Sequence, residues 1–188
     1  MSVRDFSAVA PAVFQADGDP VIVDRDQIEA MIAVARTQPN GRARLLLHEN
    51  LQDSLHEMII ALPATSCDHP HINYKSGKSF TAVSGQFAVM CFSDDGSETT
   101  AVVLSAGAWR GAYMTRLQRP AWHTIIPLEG DTAFIETIVG PFTGNTFAEW
   151  FPAAGTERRL AAEDRLRRLA REAADRLSVH KNPRCSGR

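Results

Sequence analysis

The hydrophobic pattern along the chain changes its period three times. Residues 1–24 are weakly patterned and broken by Pro11, Gly18 and Pro20, which predicts an arm with one short strand at 21–23. Asp24 is a candidate N-cap for a helix over 25–37, where Ile28, Ile32 and Ala35 recur at helical spacing. Pro39-Asn40-Gly41 ends it. From Arg42 to about Pro152 the pattern becomes strand-like, in short runs at 44–48, 57–62, 80–84, 86–92, 99–104, 113–117, 124–127 and 132–139. Gly85, Asp95-Gly96, Gly107, Glu129-Gly130-Asp131 and Gly140-Pro141 separate them as turn signals, and Asp95-Gly96 predicts a hairpin. Many short strands with no helix between them predict a closed all-β barrel or sandwich.

After Gly155 helical spacing returns. Thr156 is a candidate N-cap for an amphipathic helix to about residue 177, with Leu166, Leu169, Ala173 and Leu177 on one stripe. Residues 178–188 read as a disordered tail. The organisation expected is an N-terminal arm and helix (1–41), a barrel (42–153), and a C-terminal helix with its tail (154–188).

Composition narrows the function. The chain has 188 residues, 44% of them hydrophobic and 22% charged, as in an ordinary globular protein. Its formal net charge of -2 supplies no basic field for nucleic acid. No apolar run approaches the roughly 20 residues of a membrane helix. The first ten residues lack an apolar signal segment, so a cytoplasmic protein is expected. Three cysteines (Cys67, Cys91 and Cys185) are odd in number and widely spaced, which points to reduced thiols. The C-terminal helix carries seven Arg, but five acids interleave with them, as on a solvated face. Such a helix packs on the barrel or on a second subunit, and a homodimer is the expected assembly.

The chemistry starts at His69-Pro70-His71. On a strand, residues i and i+2 share a face, so both imidazoles would aim into one space. Surface or core His pairs give the same spacing. His123, in Pro120-Ala121-Trp122-His123, could complete a three-nitrogen face, the ligand number of an open catalytic metal site; it could equally be a capped loop histidine. The divalent ion expected on His69, His71 and His123 is Zn, Fe, Ni or Mn. Glu136 stands in an otherwise apolar run and is a ligand, a holder of a His N–H, or an outward residue. Arg42, Arg44 and His48 alternate, so they share a face that is either an anion-recognition cluster or surface charge. Tyr74, Lys75 and Trp122 are candidates for the barrel mouth, although Trp122, beside His123, should point the other way.

The two His motifs together are similar to the paired motifs of cupins. Leu47-His48, Glu57 to Leu62, Pro70-His71, Ser79-Phe80, Trp122-His123-Thr124, Gly140-Pro141-Phe142 and Ala148-Glu149-Trp150-Phe151-Pro152 narrow this, and the region 25–153 resembles the WbuC-type cupin fold metalloproteins. The resemblance implies a jelly-roll-like β-barrel with a metal in its mouth and a link to bacterial polysaccharide metabolism. One position departs. The family pattern places a Glu, often a fourth ligand, seven residues before the Gly that here is Gly85; this chain has Lys78. A charged ammonium has no lone pair for a metal. Lys78 swings outward and leaves a three-His site, pairs inside with Glu136, or replaces the metal.

The function expected from the sequence is a metal-dependent isomerase or epimerase of a small polar metabolite such as a sugar or nucleotide-sugar. Glu136 and His48 would move protons, and Arg42, Arg44, Lys78 and Tyr74 would contact the substrate. The alternatives are a non-catalytic cupin that binds or senses an anion or sugar, and a three-His iron dioxygenase.

Overall fold

The computed structural model describes residues 6–107 and 110–179. In chain order the elements are β1 (Phe6–Ala10), β2 (Val13–Ala16), α1 (Arg25–Thr37), β3 (Ala43–Leu46), β4 (Leu55–Leu62), β5 (His71–Ile72), β6 (Lys78–Phe92), β7 (Glu98–Ser105), β8 (Met114–Leu117), β9 (Trp122–Val139), β10 (Thr146–Phe147) and α2 (Glu157–Val179). This is the expected all-β core between an N-terminal and a C-terminal helix. Cys185 and the predicted disordered segment from 180 onward lie outside the described residues.

Two long strands organise the barrel. β6 and β9 pair antiparallel along nearly their whole length, from Lys78 opposite Ile138 to Phe92 opposite Trp122. Gly85 and Gly130, read from sequence as turns between separate strands, are bends within them. The register slips around Ser84 and Gln86, and Gly85 takes φ 73°. A Cβ at Gly85 would lie 2.4 Å from the Asp131 carbonyl oxygen, so the close approach of the two bent strands requires glycine. The bends let one strand pair curve through the whole of the ten-stranded sheet. β4 continues the sheet beside β9, with Leu55 opposite Val139 and Leu62 opposite Thr132. β7 and β8 pair with β6. The Asp95-Gly96 hairpin forms as predicted: Asp95 Oδ1 accepts from Ser93 Oγ at 2.6 Å and from Ser97 N at 2.8 Å.

The N-terminal arm differs from its prediction. Residues 21–23 are not a strand; the hairpin lies earlier, at β1 and β2, and β2 runs parallel to β3. Its tight turn is made by Ala12 at φ 54°, a left-handed conformation without the Gly or Asn that would announce it in sequence. α1 is capped as expected: Asp24 Oδ1 accepts from Gln27 N at 3.0 Å, and Gln27 Oε1 accepts from Asp24 N at 2.7 Å. Its buried face is Ile28, Met31 and Ala35, which pack on Ala43, Leu45 and Ile59.

α2 covers the opposite flank through Leu166, Ala170 and Ala173, which meet Ala88, Met90, Trp122 and Ile126. Leu177, predicted on the stripe, is largely exposed. The helix is anchored by Arg159. Its Nε donates to Glu163 Oε1 at 2.6 Å, Nη2 donates to the Cys67 carbonyl at 3.0 Å, and the guanidinium lies over the Phe151 ring, 4.4 Å from its centre. Replacing a buried, multiply bonded Arg leaves several acceptors orphaned, so Arg159→Ala should cost about 3 kcal/mol in urea unfolding. A loss under about 1 kcal/mol, the worth of an exposed ion pair, would remove the anchoring role.

Candidate functional site

Each barrel strand carries an inward face of alternating residues, and at one end of the barrel these faces turn from apolar to polar. On β6 the inward sequence from the mouth is Lys78 then Phe80; on β9 it is His123 then Ile125 at one end, and Phe134 then Glu136 at the other. Arg44 on β3, with Arg42 just before it and His48 just after, faces the same space. Apolar side chains such as Phe80, Phe87, Val89 and Phe134 fill one end of the barrel. The other end holds a cavity of about 320 Å³, at the small end of the roughly 300–1,000 Å³ range of ligand sites.

The histidines divide into two groups. His71 on β5 sits opposite His123 on β9, with ring centres 4.5 Å apart. His71 Nδ1 bonds the His69 carbonyl at 3.1 Å and His123 Nδ1 bonds the Ala121 carbonyl at 2.8 Å, so in each ring Nδ1 carries the proton and Nε2 keeps its lone pair. His123 is 2% exposed, and its Nε2 has no hydrogen-bond partner. Burial, with the positive charge of Lys78, pushes the His123 pKa down to about 4. Burial, then the neighbouring His123 ring and Lys78, pushes that of His71 down to about 2.

His69 does not join them. β5 begins at His71, so the i, i+2 parity that would align His69 with it does not operate. Pro70 has no N–H to donate to a ladder, and residues 67–70 are irregular. The His69 ring turns to α2 instead. Its Nε2 donates to the Ala148 carbonyl at 2.8 Å, and its Nδ1 accepts from Arg159 Nη1 at 3.0 Å. Both nitrogens are consumed, and His69 lines a separate cleft against α2. The three-imidazole face is therefore corrected to a pair, and a three-His iron site loses its third ligand. Among the described residues no group of three His, Cys, Asp or Glu side chains is arranged around a metal position.

Lys78 is 3% exposed and points inward, not outward as a three-His site would need. Its Nζ lies 3.5 Å from Glu136 Oε2, the inside pairing that the sequence left open. Arg42 forms an ion pair with Asp68. Burial, then the neighbouring Arg44, pulls the Arg42 pKa down to about 10. Arg44 is pulled down by burial and raised by Glu136, and it has no hydrogen-bond or ion-pair partner among the described residues. His48 and His56 stack at the far side of the cavity, ring centres 4.0 Å apart and nearly parallel. His48 Nδ1 bonds the Glu57 carbonyl at 2.9 Å, and its Nε2 is unpaired. Tyr74 is corrected out of the site: it is 65% exposed and touches Trp122, not the cavity. Trp122 packs under α2 and donates to Asp94 Oδ1 at 2.9 Å, as its parity predicts. His56 and Asp68 were missed; Asp68 lies in an irregular segment without periodicity, and His56, on β4, stands one residue before the predicted run 57–62.

The donor set can be tested against a divalent ion. By donor type alone the Nε2 lone pairs of His71 and His123 and the Glu136 carboxylate suit one, but the three are not arranged around a common metal position. Lys78 does not suit one: its ammonium already pairs with Glu136, and its charge, which adds to burial in depressing both imidazoles, would repel a cation placed between them. While Lys78 is charged, the site does not fit a resident metal. Three cations (Arg42, Arg44 and Lys78) face two carboxylates (Asp68 and Glu136), which leaves one positive charge in excess when the imidazoles are neutral.

Both described cysteines are free thiols; burial raises Cys67 to about 12 and Cys91 to about 11, which leaves them unreactive. No described helix is long and apolar enough to cross a membrane.

A family model described as "Domain of unknown function (DUF6016)" matches residues 23–104, under half of the chain. No curated protein matches significantly. Similar solved structures include an oxalate oxidase in complex with the substrate analogue glycolate (14% identity, 77% of this chain and 74% of that chain, TM-score 0.48). Others are the oxalate decarboxylase formate complex of Lactobacillus farciminis (15%, 50% and 27%, 0.42) and KdgF from Halomonas sp. (17%, 55% and 82%, 0.40). Likenesses at these scores carry no argument about chemistry. The cupin-type, jelly-roll-like β-barrel with its two helices rests on the chain's own strand order and register.

Proposed function

We propose that the barrel interior binds a small anionic metabolite, a carboxylate or a phosphate, and that Lys78 supplies the positive charge a metal would otherwise bring. The observation that carries this reading is Arg44. Its guanidinium faces a largely buried cavity with no hydrogen-bond or ion-pair partner among the described residues, whereas Arg42 is matched by Asp68 and Lys78 by Glu136. An unpaired Arg in such a place is stabilised by a bidentate anion. This is the binding or sensing alternative of the sequence reading.

Calorimetric titration with phosphate and with small mono- and dicarboxylates tests it. At least one anion should bind saturably, and Arg44→Leu should weaken it by at least about tenfold, the loss of one charge-assisted contact. A panel in which no anion binds overturns the reading.

A second reading is favoured by the two facing Nε2 lone pairs beside Glu136. In it the chain is a metal-dependent isomerase of a sugar or nucleotide-sugar, as the WbuC-type resemblance implies, and His71, His123 and Glu136 would hold the ion once Lys78 moved aside. The ion would supply Lewis-acid polarisation of a substrate oxygen. Elemental analysis of protein purified without chelator, with a turnover screen of sugars and keto acids, separates the two readings. Light scattering tests the proposed homodimer.

A further inference from the structure

The cavity's acceptors say more about the ligand than its charges do. Besides His56, three histidines line it, His48, His71 and His123, each more than nine-tenths buried. In each, Nδ1 is tied to a backbone carbonyl, at 2.9, 3.1 and 2.8 Å respectively. A carbonyl only accepts, so Nδ1 must hold the proton and Nε2 must be a bare lone pair. The Nε2 atoms of His48 and His123 have no partner, and that of His71 makes no hydrogen bond among the described residues. His56 fixes the His48 ring by stacking. Three acceptors of one tautomer thus line a space that also holds a guanidinium with no hydrogen-bond or ion-pair partner among the described residues. A buried acceptor without a donor costs free energy, so the occupant should bring donors.

We infer that the ligand is a hydroxylated acid. Its carboxylate or phosphate sits on Arg44 and Lys78, and its hydroxyl groups donate to the imidazole Nε2 atoms of His48, His71 and His123. This rests on the anion reading above and adds the substrate class. A simple fatty or dicarboxylic acid meets the cations but leaves the acceptors bare, and a neutral polyol does the reverse. A site built to bond substrate hydroxyls rejects an analogue without them strongly.

The experiment is calorimetry on the full chain with D-gluconate, D-galactonate, hexanoate and sorbitol. The tighter of the two sugar acids should bind at least about tenfold more strongly than hexanoate, which has the same carbon count and no hydroxyl, and sorbitol should not bind. His48→Phe, which keeps a ring on His56 but removes the lone pair, should narrow the ratio of sugar acid to hexanoate by at least about threefold; the wild-type ratio is decisive if that variant does not fold. Equal binding of sugar acids and hexanoate overturns the inference and leaves the anion reading standing. Sorbitol binding as well as the acids overturns the anionic part. No binding by any acid or by phosphate overturns both.

Discussion

The Lys78→Glu variant should retain about one equivalent of Zn²⁺ through desalting, where the parent chain retains less than about a tenth. The substitution removes the ammonium that lies 3.5 Å from Glu136 and adds a carboxylate facing the paired imidazoles. Two Nε2 lone pairs and two carboxylates then converge with no cation between them, a donor set suited to borderline divalent ions. Without metal the same variant is strained, because two buried carboxylates share one space and at least one must hold a proton. Its thermal midpoint should therefore fall in chelator and recover with added Zn²⁺, by mass action on the folded state, whereas the parent midpoint should not respond. Lys78→Met separates the effects: it removes the charge but adds no ligand, so it should retain less metal than Lys78→Glu. If the parent chain already carries stoichiometric metal, or if Lys78→Glu carries none, then the position of Lys78 between the imidazoles and Glu136 does not control the site.

The barrel was legible in the sequence because its strands alternate cleanly and a helix with its own cap or stripe flanks each end. The two long strands were not. Gly85 and Gly130 look the same in sequence whether a chain reverses or merely bends, and only the pairing partner decides between these. Period-2 parity put Arg42, Arg44 and His48 on one face without saying whether it looked inward, and the structure turns that face into the cavity that His71, His123 and Glu136 also line. Parity failed at His69 because the strand begins two residues later. The competing interaction there comes from Arg159, 90 positions away in sequence, and no local pattern announces it. The H-x-H spacing thus counts one imidazole too many for the cavity. The inward turn of Lys78 was among the outcomes left open by sequence, since parity fixes a face but not whether a cation on it finds a partner. Glu136 is that partner, set by the β6–β9 register.

Acid should unfold the protein from an unusually high pH. In the folded chain His71 is held down to about 2 by burial, the His123 ring on β9, Lys78 on β6 and Arg42 beside β3; the carbonyl of His69 opposes these. His123 is held down to about 4 by burial, Lys78 and Arg42, with the Ala121 carbonyl and Glu136 opposing. In the unfolded chain both rings return to about 6.5. Between about 6.5 and about 4 the unfolded state therefore binds two more protons than the folded state at these positions, and stability falls as pH falls. The contribution is fully present above about pH 6.5 and is lost through that window, not above it. Each ring accounts for about 1.4 kcal/mol per pH unit, so the pair removes on the order of 5 kcal/mol between pH 7.5 and pH 4.5. That is a large share of the roughly 5–15 kcal/mol that holds a domain together. Urea unfolding in chelator at half-unit pH steps measures the slope. The double variant His71→Gln, His123→Gln, which cannot titrate, should lose about two protons of pH dependence over the window, even though its absolute stability is lower. A wild-type slope matching that of the double variant would mean that the two rings are solvated or already charged in the folded chain, and with that the neutral tautomers on which the cavity's acceptor character depends would be gone.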